Sequence, residues 1–317
     1  MRKRIVIGLL LALVVIPLLV IALKGPKTGP GLGNRATSGE TIGVIYVDGP
    51  IVGGRSGAGI FGGAAVAGSE DLMNQLKEAR KDSAIKAVLI RINSPGGSAP
   101  ASQEIGDEID ALKQSGKKVV VSMGDVAASG GYWLAAKADK IVANPATMTG
   151  SIGVIMQTQN LEGLFGKLGI GTETIKSGPH KDIGSPNRQM TPEERQILQG
   201  MVNDIYEQFV DVVATGRKMD REKVRKLADG RIYTGRQAKQ LGLVDELGNF
   251  HYAVRYTAKL VGIEGEPTLR EFGVKNPFGF LLTGSKQGLL PGQENGLSAK
   301  QLKALQELFL LNEGRLP

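Results

Sequence analysis

Hydrophobic positions along this chain change their spacing three times. Residues 5–23, opening on Ile5 and closing on Leu23, are nineteen in a row without a charge. As a helix they measure about 28 Å, one bilayer core. Residues 25–40 carry no periodic apolar positions and are rich in Gly, Pro, Thr and Ser, which predicts a flexible tether. From Thr41 onward, short β-rich runs trade places with helically spaced ones. Strands are predicted at residues 41–47, 87–92, 118–122, 140–143, 152–156 and 172–175. The run at 87–92, Ala-Val-Leu-Ile-Arg-Ile, is almost continuously apolar, the pattern of a strand covered on both faces. Helices are predicted at 71–81, with Leu72, Leu76 and Ala79 in register, and at 101–114, with Ile105, Ile109 and Leu112 on one face. Another opens near Ser129. This alternation argues for an α/β fold with mostly parallel strands.

Residues 51–69 interrupt the rhythm with a glycine-rich run that predicts a mobile loop. Beyond Thr191 the pattern turns helical. Pro192 stands at a first helical position with Glu193 and Glu194 behind it, and apolar residues continue to Val213. Asp220 and Thr234 read as caps of two more helices. Residues 262–296 are polar and rich in Gly and Pro, and Ser298 with Gln301 then forms a capping box ahead of Leu302, Leu305, Leu308 and Phe309. That amphipathic helix is expected to pack on its own domain or a neighbouring subunit, with a membrane or a groove as the alternative. The plan is therefore a cytoplasmic N-terminus and transmembrane anchor (1–24), a linker (25–40), a folded domain (41–261), and a linker with a C-terminal helix (262–317).

Composition narrows the chemistry. The 317 residues, 41% hydrophobic, suffice for a sizeable core. With no cysteine, disulfides and thiol catalysis are excluded, and two histidines without a partner at ligand spacing offer no zinc motif, so no metal or cofactor is expected. The net charge of +8 is scattered and not interleaved with aromatic residues, which argues against nucleic acid and for solvated faces compatible with an anionic membrane surface. Arg2, Lys3 and Arg4 precede the apolar segment, so the positive-inside rule keeps the N-terminus cytoplasmic and sends the bulk of the chain outside; Lys24 and Lys27 dilute that asymmetry. Ile-Ala-Leu-Lys-Gly at 21–25 lacks the small-residue pattern of a cleavage site, so the segment reads as an uncleaved, single-pass anchor.

The run Gly-Asp-Val-Ala-Ala-Ser-Gly-Gly-Tyr at 124–132 places Ser129 among small residues where a strand gives way to a helix. A serine needs a base to become a nucleophile. Lys181 and His180 stand together in the turn-rich stretch Ser-Gly-Pro-His-Lys-Asp at 177–182, and the residues alone leave both open; a Ser/His/Asp set would recruit His180 or His251 with Asp125 or Asp182, though His251 reads as a core or surface residue of a helix. A lysine base must be neutral, so Asp182 beside it would have to point away. Asn-Ser-Pro-Gly-Gly-Ser at 93–98 follows a buried strand, where ligands bind in parallel α/β folds. Its Gly97 amide suits an oxyanion hole together with that of Gly130, which begins a helix. Ser151, ahead of an apolar strand, is the candidate to orient the lysine. The bland alternative is that Ser129 merely caps a helix.

These stretches resemble the short form of the bacterial signal peptide peptidase A family, serine proteases of the ClpP/crotonase superfamily. The matching pieces are Ile-Asn-Ser-Pro-Gly-Gly at 92–97, the run at 122–132, Ala-Asp-Lys-Ile at 138–141, Thr-Gly-Ser-Ile-Gly-Val at 149–154, Ile-Lys-Ser-Gly-Pro-His-Lys-Asp at 175–182, and Asp-Gly-Arg-Ile-Tyr-Thr-Gly-Arg-Gln-Ala at 229–238, in family order across about residues 41–260. Trp133 stands where a second tyrosine is common, and Pro179 replaces a small residue. The resemblance implies repeated ββα units with mostly parallel strands, Ser129 as nucleophile, Lys181 as base, Gly97 and Gly130 as oxyanion amides, and Ser151 as the lysine-orienting hydroxyl. It also implies a homo-oligomer with active sites facing a shared interior. The expected function is a membrane-anchored Ser/Lys endopeptidase that degrades cleaved signal peptides and other unfolded apolar peptides. A crotonase-like acyl-CoA enzyme and a non-catalytic membrane scaffold are the alternatives.

Overall fold

A computed structural model describes residues 41–56 and 66–273. The predicted membrane span, the tether, residues 57–65 of the glycine-rich loop and the predicted C-terminal amphipathic helix lie outside the described residues. Among those described, no helix is long and apolar enough to cross a membrane.

The sheet is mixed α/β and almost wholly parallel. Strands β1 (Thr41–Asp48), β4 (Ile85–Ser94), β5 (Lys118–Ala128) and β6 (Lys140–Ala143) form its centre. Strand β10 (Thr268–Glu271) pairs with β1 at one edge and β9 (Glu246–Leu247) with β6 at the other, all in parallel. Strand β7 (Met148–Gly150) pairs with the far end of β5 and, in antiparallel register, with β8 (Ile232–Thr234). Strands β2 (Ile51–Val52) and β3 (Ala67–Gly68) make a separate small ladder. The sheet thus takes in chain beyond residue 261.

The apolar runs sort themselves between two cores. Ile45, Val47, Val88, Ile90, Ile92, Val119, Val121, Met123 and Ile141 face one side, beneath helices α1 (Ser69–Lys81), α2 (Ala99–Gln114) and α3 (Gly130–Ala136). Ile42, Leu89, Val120 and Val142 face the other, beneath α8 (Phe250–Leu260). Successive strand residues point to opposite faces, and both faces are covered, which is why β4 and β5 read as unbroken apolar runs.

Two sequence expectations are corrected. Residues 152–156 and 172–175 are not strands. A strand needs a hydrogen-bonding neighbour, and beyond Gly153 the chain leaves the sheet, with Ile155 84% and Ile175 95% exposed. Ile152 stays buried in the core, and the rest belong to an arm, residues 154–190, that holds a short helix, α4 (Glu162–Lys167), and is closed by the bond from Leu161 N to Pro186 O. The strand expected to end at 122 instead runs to Ala128. Its polar interruption, Gly124-Asp125, is a bulge bridged by the Asn93 side chain, whose Oδ1 accepts from Asp125 N and Val126 N, both at 3.2 Å.

The arm leads into α5 (Pro192–Arg217), which opens on a full capping box between Thr191 and Glu194. Only its C-terminal part is docked: Phe209, Val210 and Val213 are buried, with the Phe209 ring 5.0 Å from that of Trp133. The remaining helices, α6 (Arg221–Leu227) and α7 (Gly235–Leu241), are capped by Asp220 and Thr234 as the sequence predicts. Gly216 fixes the docking of α5, since a Cβ there would stand 1.9 Å from Ala136 O, a backbone atom. Gly216→Ala should therefore lower stability by about 1–3 kcal/mol despite alanine's better helix propensity. A denaturant midpoint that rises instead would show that α5 is not docked this way.

Candidate active site

Ser129 sits between β5 and α3, at φ 51° and ψ −121°. That left-handed geometry is uncommon for a residue with a Cβ and costs about 1–3 kcal/mol unless its surroundings impose it. They do. Ser129 N donates to Gly150 O at 2.9 Å, and Ser129 O accepts from Trp133 N at 2.9 Å to start the helix. The side chain makes no capping hydrogen bond. The bland reading of Ser129 as an ordinary cap therefore fails on two counts: a capping serine has extended backbone and accepts from the first turn.

Opposite Ser129 lies the turn after β4. Ile51 straddles it, donating to Gly96 O at 2.8 Å and accepting from Ser98 N at 2.9 Å, which leaves the Gly97 amide outside that ladder. The glycines here are obligatory because backbone meets backbone. A Cβ on Gly96 would stand 2.6 Å from Gly130 N and 2.7 Å from Ser129 Cβ, and one on Gly97 would stand 2.1 Å from Ile51 O, with φ at +99° and +152°. A Cβ on Gly130 would meet Ser102 Oγ at 2.5 Å and Gly97 N at 3.3 Å. Among the described residues no acceptor takes the N–H of Gly97 or Gly130. Two unsatisfied amides from different elements thus converge beside one hydroxyl, an arrangement able to hold an anionic oxygen.

Ser151 directly follows the glycine whose carbonyl takes the Ser129 amide. It also has positive φ, 49°, and donates its N–H to Arg231 O at 2.8 Å. The structure therefore brings Ser129, Gly130, Gly97 and Ser151 together. Among the described residues Lys181 makes no hydrogen bond to any of them. Lys181 is exposed, in the turn at the root of α5, and among the described residues its ammonium has no hydrogen-bond acceptor and no carboxylate within ion-pair range. His180 beside it is half-buried, with Nε2 3.6 Å from Glu193 Oε1. His251 is exposed on α8, the helix covering the opposite face of the sheet, and Asp125 is exposed on its bulge.

The turn bearing Lys181 is joined to the start of α5, whose course is set by its contacts with α3. Phe209 lies against Trp133 and Gly216 against Ala136, so α5 follows α3 in the same sense and its N-terminal half overhangs the end that carries Ser129. From Phe209 back to Pro192 is about 25 Å of helix, against about 6 Å from Trp133 back to Ser129. The turn bearing Lys181 is tied to the far end of that overhang.

The family model for peptidase family S49 matches residues 111–264, a span that includes Ser129, Ser151 and Lys181. A putative protease of Methanocaldococcus jannaschii is 37% identical over 281 residues, 87% of this chain and 88% of that protein. This chain belongs to peptidase family S49. Within the family it is similar to protease 4 of Salmonella typhi, 38% identical over 268 residues, and to a putative signal peptide peptidase SppA of Enterococcus faecium, 45% identical over 179. Those matches take in 82% and 56% of this chain, and 41% and 52% of the relatives' own lengths.

Several supporting residues of this S49 site carry no sequence signal. Ser94 and Ser102 are fully buried under the glycine turn; Ser94 Oγ accepts from Gly96 N at 3.1 Å, and Ser102 Oγ donates to Ser98 O at 2.9 Å. In sequence they are ordinary turn and helix-start serines. If the positive φ at Ser129 is imposed by the site, Ser129→Gly should gain about 1 kcal/mol of stability while Ser129→Ala gains nothing comparable. Equal thermal midpoints for the two variants would show the backbone there to be unstrained.

Proposed function

We propose that this S49 protease is a serine endopeptidase in which Ser129 attacks and Lys181 is the base. The observation that carries the reading is the strained, uncapped Ser129 beside the free amides of Gly97 and Gly130. Neutral Lys181 takes the Ser129 hydroxyl proton as Oγ bonds to the peptide carbonyl carbon, and the two amides hold the resulting oxyanion. The lysine then gives that proton to the leaving nitrogen, the C–N bond breaks, and an acyl-enzyme remains. Water, deprotonated by the same lysine, adds to the acyl carbon; the bond to Ser129 Oγ then breaks, the lysine returns the proton to Oγ, and the new carboxyl terminus leaves. Ser151 orients the ammonium.

The overhang of α5 supports an assembly in which the lysine comes from a neighbouring copy of the chain. An arm that exposes Ile155, Met156, Leu164, Leu168, Ile170 and Ile175 leaves an apolar patch of the kind that marks protein contacts. A homo-oligomer would cover it and carry each Lys181 to another copy's Ser129. Unfolded apolar peptides, such as signal peptides after cleavage, fit as substrates because extended backbone can pair beside Gly97 and Ile51.

Cleavage of an apolar peptide should be abolished by Ser129→Ala and by Lys181→Ala and retained by His180→Ala. Because a lysine base works only when unprotonated, kcat/KM should rise with pH to a plateau. Co-refolding the Ser129→Ala and Lys181→Ala chains should restore part of the activity; if the mixture stays inactive, the two residues act within one chain. We further propose a single-pass anchor at residues 5–23, with the N-terminus cytoplasmic and the protease outside. Removing residues 1–24 should release the protein from the membrane fraction, and continued sedimentation with membranes would refute the anchor.

A further inference from the structure

The turn carrying Lys181 presents an electrostatic problem. The next residue is a carboxylate, and a lysine with a counter-ion beside it stays protonated and cannot be a base. The arrangement around Asp182 addresses this. Arg188 Nε donates to Asp182 Oδ2 at 2.9 Å and Arg188 Nη2 to Oδ1 at 2.8 Å, while Lys176 Nζ donates to Oδ1 at 2.6 Å. Both carboxylate oxygens are thus taken by cations other than Lys181. Arg188 is itself held from behind, through Nη1 to Glu194 Oε2 at 2.9 Å and Nη2 to Glu194 Oε1 at 2.6 Å. Glu194 is 2% exposed and also accepts from Thr191 N at 2.9 Å, so the guanidinium is anchored to the first turn of α5.

We infer that Arg188 is a positioning residue for the base: it turns Asp182 away from Lys181 and so leaves the lysine without a counter-ion among the described residues. The inference rests on the Ser129/Lys181 reading above. The groups facing Asp182 are Lys176 from the arm, Arg188 from the loop after it and, across Arg188, Glu194 of α5; His180 and Glu193 meet each other alongside. Two cations balance two carboxylates there, so the cluster adds no net charge beside Lys181. Its hydrogen bonds to Arg188 and then Lys176 hold the Asp182 carboxyl well below the usual carboxylate range. Asp182 therefore stays anionic throughout the working pH range and would pair with Lys181 if released.

The test is the pH profile of kcat/KM on a fluorogenic apolar peptide, using the full chain in detergent. Arg188→Gln leaves Lys176 on Asp182 Oδ1 but frees Oδ2 to turn toward Lys181, and should move the half-plateau pH upward by about one unit. Arg188→Lys, which keeps the charge but loses the fork, should move it less. Arg188→Gln combined with Asp182→Asn should return the profile toward that of the wild type. A uniform loss of kcat/KM at every pH in Arg188→Gln, or a shift that persists in the double variant, overturns the inference and leaves Arg188 a structural clamp. Lys181→Ala, run in parallel, separates the two claims. If it still cleaves, the dyad reading falls; if it is inactive and Arg188→Gln does not shift the profile, only the role of Arg188 falls.

Discussion

The site depends on one close approach, the backbone of Ser129 and Gly130 lying directly on that of Gly96 and Gly97. No side chain fits between them. Because β4 and β5 are neighbours in a parallel sheet, their C-terminal ends arrive side by side, and the turns after them must share the same small space. The glycines let that happen. The cost falls on Ser129, which is twisted into positive φ so that α3 can start without its side chain in the capping role. The hydroxyl left over is the proposed nucleophile. Strain, free amides and an uncapped hydroxyl are thus three consequences of a single packing decision.

A second constraint acts on the arm. Residues 154–190 contribute nothing to either core, and they carry several large apolar side chains into solvent. What order they have comes from polar contacts: the Asp182, Arg188, Glu194 cluster and the capping box that opens α5. Bidentate arginine pairs fix geometry more firmly than single lysine contacts do. The polar contacts thus pin the root of the arm, while its large apolar side chains stand in solvent, open to a partner.

How far this was legible follows from which signals are local. Strands β4 and β6 and helices α1 and α2 announced themselves because buried periodicity is written into consecutive residues. Ser129 was visible because small residues cluster around it. The continuation of β5 past Ser122 was hidden, since its ladder is repaired by Asn93 from another strand, a contact between residues 32 apart. The apparent strands at 152–156 and 172–175 misled for the opposite reason. Their apolar, β-prone residues are real, but sheet pairing needs a neighbour that the arm does not have. Arg188 was invisible, because its partners Asp182 and Glu194 sit six residues to either side without helical or strand register. The span at 5–23 and the helix after Ser298 lie beyond the described residues.

A lysine can lose its proton at working pH for two separable reasons, absence of a nearby anion and loss of hydration. The chain supplies the first by itself, through the fork that Arg188 closes on Asp182. It does not supply the second, because Lys181 stands exposed at the end of the overhang. Desolvation must come from whatever surface the arm meets. On the proposed reading that surface surrounds another copy's Ser129, so the base would become active only where its nucleophile is. On that same reading an isolated chain would hold the serine without its base, and proteolysis would be confined to the assembled state.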